Sequence, residues 1–180
     1  MDVFEAIRKR HSYRAGFKDE PVPREDLVAI VDAGIRAPSG VNAQTTQFVI
    51  VDDAERIAAL AGIVDKRVVR EAKAIIVCVV DHRAVYEGMA FGAEDCAAAV
   101  ENMLLAITAL GYATVWLDGV LRVEDKGRRV ANLLGVPENL EVRVMLPLGV
   151  PAEERPQRER MAFDQRAWFN HYGQDRAVGF

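Results

Sequence analysis

The sequence predicts an α+β fold, with a central sheet carrying helices on its faces. Three patterns carry that expectation. Ala74–Val80 (AIIVCVV) is an unbroken apolar run of strand length, suited to a strand buried on both faces. Leu140, Val142, Val144 and Leu146 alternate with Glu141, Arg143 and Met145, the period of two that a strand imposes. Ala93–Leu110 instead steps by three and four through Cys96, Val100, Met103, Leu104, Ile107 and Leu110, the period of a helix. The two kinds of segment mix without strict alternation, which favours α+β over a repeating βαβ chain.

The remaining elements follow in order. Asp2 with Glu5 three residues on is a helix-start signature, and Val3, Phe4 and Ile7 give that first helix an apolar side as far as Arg10. Pro21 and Pro23 mark a loop. A second helix carries Leu27, Ile30, Val31, Gly34 and Ile35 and ends at Pro38, because the residue before proline is driven out of the helical region. Gln47–Val51 reads as a strand, Asp53–Ile63 as a short helix, and residues 82–92 as a loop. Gly111 stops the long helix, Thr114–Leu117 is a short strand, and Glu124–Leu134 is a helix closed by Gly135 and Pro137. After Gly149 the chain becomes charged and proline-bearing, then aromatic at Trp168, Phe169 and Tyr172, which reads as an extended arm in search of a surface to cover.

Composition narrows the function. The 180 residues suit one domain, 1–180, and sustain a core without metal or disulfide staples. Hydrophobic residues are 51% and charged residues 28%, which excludes a disordered chain. The net charge of −4 argues against a nucleic-acid partner. No apolar run approaches the ~18–20 residues that span a bilayer, and no signal-peptide centre is present, so the expectation is a cytoplasmic protein without a membrane partner. Cys78 and Cys96 read as buried reduced thiols.

Several chemistries have no motif here: there is no dinucleotide-binding glycine fingerprint, no Walker loop, no Cys-x-x-Cys, no His-Glu-x-x-His and no Gly-x-Ser-x-Gly. The expectation is therefore no metal and no catalytic side chain. Four segments do carry chemistry. Residues 8–14 (RKRHSYR) concentrate cations in an acidic chain; they read either as an arginine–serine set for phosphate, with Arg10, Ser12 and Arg14 alternating, or as a solvated basic helix end. Residues 37–44 (APSGVNAQ) combine a rigid proline, a glycine and amides, which suits the edge of a flat heteroaromatic ligand or a structural turn. Asp118-Gly119 follows a strand. Residues 156–160 (PQRER) follow the last strand with alternating arginines.

In this order and spacing the four segments resemble the nitroreductase family of FMN-dependent NAD(P)H oxidoreductases. The resemblance covers about residues 2–160. It rests on Arg-x-Ser-x-Arg at 10–14, Ala-Pro-Ser-x-x-Asn-x-Gln at 37–44, a helix from Asn102 through Ala106 to Gly111 that runs into Thr114-x-Trp116, and Leu-Gly-x-Pro at both 134–137 and 148–151. One departure stands out: Gln44 is followed by Thr45-Thr46, where the family has Pro-Trp.

The resemblance implies a three-layer sandwich around a mostly antiparallel sheet, with a C-terminal arm (150–180) embracing a partner subunit. It implies FMN at the interface of a homodimer, NADH or NADPH as co-substrate, and a nitroaromatic, quinone or similar small acceptor reduced by a ping-pong mechanism in which the flavin carries the chemistry. Arg10 and Ser12 then hold the phosphate or ribityl chain, with His11 between them in the same element, and Arg14 meets the pyrimidine side of the ring. Pro38, Ser39, Gly40 and Asn42 approach from the other subunit. Asp118 and Gly119 lie near the reactive ring edge, and Arg160, with Arg158 in reserve, closes on the phosphate. A flavin-binding protein without turnover, and a phosphate-recognising module without flavin, are the competing readings.

Overall fold

The architecture follows from which strands lie between others. In the computed structural model, which describes residues 1–173, β1 (Thr46–Val51), β2 (Ala74–Asp81), β3 (Ala113–Thr114) and β4 (Leu140–Gly149) form one antiparallel sheet in the order β1-β2-β4-β3. β2 pairs with β1 from Thr46 opposite Val80 to Val51 opposite Ile75, and with β4 from Ala74 opposite Leu148 to Asp81 opposite Leu140. Flanked on both sides, β2 is buried along its length except at Asp81.

Alternation along β2 divides the core into two clusters. Ile75, Val77 and Val79 pack with α3 (Ala54–Val64), α4 (Arg67–Arg70) and α6 (Lys126–Leu134). Ile76, Cys78 and Val80 pack with α2 (Arg24–Ile35) and α5 (Gly92–Ala109) on the opposite face. Successive side chains of a strand point to opposite faces, so one apolar run anchors both helical layers. The result is the expected α+β three-layer arrangement.

Local signals set most boundaries. Asp2 and Asp53 cap α1 (Val3–Lys9) and α3 by accepting from the N–H groups of Glu5 (2.8 Å) and Arg56 (2.9 Å). Gly111 and Gly135 sit at φ 86° and 69°, left-handed geometry that glycine adopts without a Cβ clash. Cys78 and Cys96 are free and buried. Contact with Cys96, followed by burial, pushes the Cys78 thiol up.

The structure departs from the sequence reading at several points. β3 is two residues long; of the rest of that run, Leu117 alone rejoins the sheet, through an isolated bridge to Met145. α6 begins at Lys126 because Glu124 and Asp125 both adopt positive φ. The one-turn α4 is too short to leave a periodic trace. In β4 the alternation ends at Val144, since Met145–Leu148 is buried on both faces as a central strand must be. β1 is an edge strand, and only Val51 is fully buried. The apolar side of α1 faces outward, with Val3, Phe4 and Ile7 58%, 68% and 47% exposed, while Ala6 packs inward.

Candidate functional site

The chain leaves α1 at Arg10, whose ψ of 128° opens the helix into extended backbone. Tyr13 N–H donates to Thr114 O (2.8 Å), so this segment runs alongside β3 at the edge of the sheet. Tyr13 points inward and is 1% exposed; its hydroxyl donates to Gly16 O (2.7 Å) and accepts from Ala152 N–H (3.1 Å). With Tyr13 turned in, the alternation of extended backbone turns Ser12 and Arg14 out. Both line a cleft of about 650 Å³ together with His11.

The arm closes the other side of this cleft. Pro151 bridges to Phe17, and Gln157 Nε2 donates to Arg10 O (2.6 Å), so residues 151–160 fold back along the N-terminal segment. That brings Arg155, Arg158 and Arg160 into the lining, with Arg67 entering from α4. Arg67 is held by Glu71 (Nε to Oε1, 2.7 Å) and Arg155 by Glu153 (2.7 Å). The Arg67 guanidinium holds the Glu71 carboxyl below the usual carboxylate range, and Glu153 raises Arg155 above its ordinary value. Among the described residues, Arg14, Arg158 and Arg160 have no carboxylate partner.

Arg10 behaves differently from the expectation. It does not line the cleft; its Nε lies 3.5 Å from Glu101 Oε1 on α5. As the cap of α1 it belongs to the helix that packs on α5, and not to the extended segment whose alternation was to align it with Ser12. His11 is half-buried. Its Nδ1 lies 3.0 Å from Lys9 O, and because a carbonyl only accepts, Nδ1 carries the proton. Its Nε2 is buried and, among the described residues, has no partner.

The other expected residues gather elsewhere. Pro38, Ser39, Gly40 and Asn42 form a loop before β1. Gly40 N–H donates to Asp95 Oδ1 (2.8 Å), Thr45 Oγ1 donates to Asp95 Oδ2 (2.5 Å), and Gln44 N–H donates to Ser39 Oγ (3.1 Å). Val41, Asn42 and Gln44 all adopt positive φ, a strained run that the buried Asp95 pins in place. Phe91 packs so closely that a Cβ on Gly40 would lie 2.3 Å from its ring. Asp118 accepts from Arg122 at 2.5 and 2.6 Å and lies 3.9 Å from Arg143, and Gly119 opens a 3-10 turn.

Sheet register fixes how these groups relate. Seven residue steps along β2 separate the two ends of the sheet by about 23 Å. The arginine cleft sits at the Ala74 end, through Thr114, Gly149 and Pro151; the Pro38–Gln44 loop sits at the Asp81 end, where Asp81 N–H donates to Thr45 O. Asp118-Gly119 shares the β3 edge with Ser12 and Arg14, four residue steps or about 13 Å along it. The loop belongs to the β1 edge, three strand spacings or about 14 Å across. One chain thus carries the cleft and Asp118-Gly119 on one edge, and the Pro38–Gln44 loop on the other.

Chemically, the cleft is a donor set for an anion: guanidinium forks and a hydroxyl, with Glu153 the carboxylate among its lining. No group of three His, Cys, Asp or Glu side chains among the described residues could hold a metal, and no helix there is long and apolar enough to cross a membrane. The sequence reading missed four residues. Arg67 and Arg155 enter through a one-turn helix and an irregular arm, neither of which has a pattern to read. Asp95 looked like an ordinary acid in a first helical turn. Thr45 was visible only as the departure from Pro-Trp.

The same sandwich occurs in solved structures. An FMN complex of a nitroreductase from Desulfovibrio desulfuricans superposes with a TM-score of 0.77 at 33% identity, over 89% of this chain and 92% of that one. An NADPH:FMN oxidoreductase from Vibrio harveyi, complexed with NAD+, superposes with a TM-score of 0.80 at 26% identity, over 94% and 77%. The fold is thus that of a class of flavin-associated reductases. The nitroreductase family profile matches residues 7–75 and 64–150, and the chain belongs to that family. A relative from Methanothermobacter thermautotrophicus, named as an NADH dehydrogenase/NAD(P)H nitroreductase, is 36% identical over 155 residues, 85% of this chain and 79% of its own length.

Proposed function

We propose that the protein is a homodimeric, FMN-dependent oxidoreductase that takes hydride from NAD(P)H and reduces a nitroaromatic, a quinone or a similar small acceptor. The observation that carries this reading is the cleft in which Ser12, Arg14, Arg158 and Arg160 converge, with no carboxylate partner for the three arginines among the described residues. A phosphomonoester carries close to two negative charges and three acceptor oxygens, which guanidinium forks and a hydroxyl satisfy. The cleft volume lies within the range of small-molecule sites. His11 Nε2, buried and without a partner among the described residues, is a further polar contact for a ligand. The residues present therefore fit FMN.

FMN, when bound, would supply the two-electron chemistry, with NAD(P)H and the acceptor taking turns at the site in ping-pong order. Ser12, Arg158 and Arg160 hold the phosphate. Arg14, also in the cleft lining, would place a fixed cation beside the ring, and a preorganised charge there would favour the negatively charged reduced form. Asp118 is neutralised by Arg122 and Arg143, which leaves the backbone of Gly119 as the contact at the far end of the same edge. Pro38, Ser39, Gly40 and Asn42 lie on the opposite sheet edge, so a second copy brings them to the ring. The outward faces of α1 (Val3, Phe4, Ile7) and the arm (Met161, Phe163, Phe169, Tyr172) supply apolar surface for that contact.

Flavin titration of the purified apoprotein, followed by NAD(P)H oxidation with a nitroaromatic or quinone, tests this. Arg160→Ala should weaken FMN binding about tenfold or more, a loss of at least one charge-assisted contact. Arg10→Ala, already paired with Glu101, should weaken it less. A colourless protein that does not take up FMN overturns the reading, and FMN uptake without NAD(P)H oxidation would leave a flavin carrier.

A further inference from the structure

β4 carries one residue that the ladder does not accommodate. Cys78 lies opposite Val144 and the next residue, Val79, lies opposite Val142, so Arg143 is the extra residue of a β-bulge. A bulge interrupts the pairing and re-aims the side chain it carries. Here it sets the Arg143 guanidinium between two carboxylates, 3.9 Å from Asp118 Oδ2 and 3.6 Å from Glu141 Oε1. We propose that Arg143 is a positioning residue for the flavin reaction: through Asp118 it fixes the Gly119 backbone at the reactive ring edge, and its charge keeps that edge from turning negative, which raises the midpoint potential of the flavin. This rests on the FMN reading above and extends it to a residue outside the cleft lining.

Three observations support the assignment. First, the peptide between Asp118 and Gly119 is held from several directions. Leu117 exchanges backbone hydrogen bonds with Met145 (3.0 and 2.9 Å), Leu121 N–H donates to Asp118 O (2.8 Å), and Arg122 joins Arg143 at the Asp118 carboxylate. In a trans peptide the N–H lies opposite the C=O, so Gly119 N–H points away from the turn that Leu121 closes. Nothing lies within 4 Å of a Cβ built on Gly119, so the backbone there is open to close approach by a ligand. Second, burial decides which cation matters more. Arg122 is the nearer to Asp118, at 2.5 Å, but its side chain is 51% exposed and that of Arg143 is 21%. Water and salt screen the exposed charge more than the covered one. Third, the field of Arg143 reaches beyond Asp118. Contact with Cys78, and then the Arg143 guanidinium, hold the Cys96 thiol below its ordinary value, which places this cation against α5 as well.

The sign of the effect follows from the charges. Asp118 and Glu141 are paired with Arg122 and Arg143, so the four side chains balance. His82 Nε2 meets Glu141 Oε2, which leaves Oε1 to Arg143. Removing the Arg143 charge leaves a net negative cluster beside the ring edge, where reduction adds negative charge, and disfavours the reduced form. Removing the Glu141 charge leaves a net positive cluster and favours it. A residue that only braced the backbone would not produce shifts of opposite sign.

The test uses the FMN-loaded protein, with flavin content measured by absorbance in every sample, and reads the midpoint potential of the bound flavin against redox dyes. Arg143→Met should shift the reduction equilibrium about tenfold toward the oxidised form, about 30 mV for two electrons, and slow reduction by NAD(P)H in stopped flow. Arg143→Lys, which keeps the charge, should recover most of that shift. Glu141→Gln should move the potential the opposite way. Arg143→Met at the wild-type potential overturns the assignment, as does Arg143→Lys no higher than Arg143→Met. Should Arg143→Met fail to fold or to take up FMN, Glu141→Gln decides, and an unchanged or lowered potential there overturns the assignment. These results in flavin-loaded protein leave the FMN reading standing. Wild-type protein that does not load FMN overturns that reading and this one with it.

Discussion

Asp95 concentrates several roles in one buried side chain. It is 5% exposed, and its two oxygens accept from Gly40 N–H and Thr45 Oγ1, which lie at either end of a loop with three positive-φ residues. Asp95→Ala would strand both donors, at about 1–3 kcal/mol each, and release the strain in the loop. The expected outcome is a destabilisation of about 3 kcal/mol in urea unfolding together with weaker FMN binding. Asp95→Asn, which keeps one acceptor, should lie between. Tyr112 is a second such residue. Burial, and then its hydrogen bond to Asp26 (2.6 Å), raise its hydroxyl to about 12. The folded state therefore binds this proton more tightly than the unfolded chain, whose tyrosine titrates near pH 10. The associated stability is complete below about pH 10 and is lost as pH rises toward 12. Tyr112→Phe should lack that alkaline component, and pH-dependent melting from pH 9 to 12 would check it.

At the level of elements, position in the sheet outweighs composition. β1 and β2 are both apolar runs, yet Ile76 is fully buried and Ile50 is 38% exposed, because β2 has a strand on each side and β1 lies at an edge. Ile76→Ala should cost about 3 kcal/mol, within the range of core truncations. Ile50→Ala should cost less than about 1 kcal/mol, as expected for a partly exposed side chain. Equal costs in denaturant titrations would contradict this sheet order. The outward apolar face of α1 has a related origin. Val3, Phe4 and Ile7 share a face, and periodicity reports that face without saying what covers it. Only the packing of α1 on α5, with Ala6 inward and Arg10 beside Glu101, shows that the face points away from its own core.

Across the whole molecule, the expected ligand contacts divide between opposite edges of one sheet, and dimerisation is the assembly that would reunite them. Phe4→Ser should therefore weaken self-association in sedimentation and lower FMN affinity in parallel, although residue 4 is remote from the cleft. A monomeric variant with wild-type FMN affinity would show that one chain suffices. The expected arm is an irregular strand-free segment through residue 173, and the rest of it, 174–180, lies outside the described residues. The order of helices and strands, the caps at Asp2 and Asp53, the glycine stops at Gly111 and Gly135 and the motif segments are all readable from the chain, because each depends on neighbours within a few positions. So is the family, since its motifs are short and ordered. The entry of Arg67 and Arg155 into the cleft, the withdrawal of Arg10 to Glu101, the Asp95 anchor and the outward face of α1 depend on contacts between residues far apart in sequence. Those contacts exist only once strand order and helix packing are set, and no local pattern encodes them.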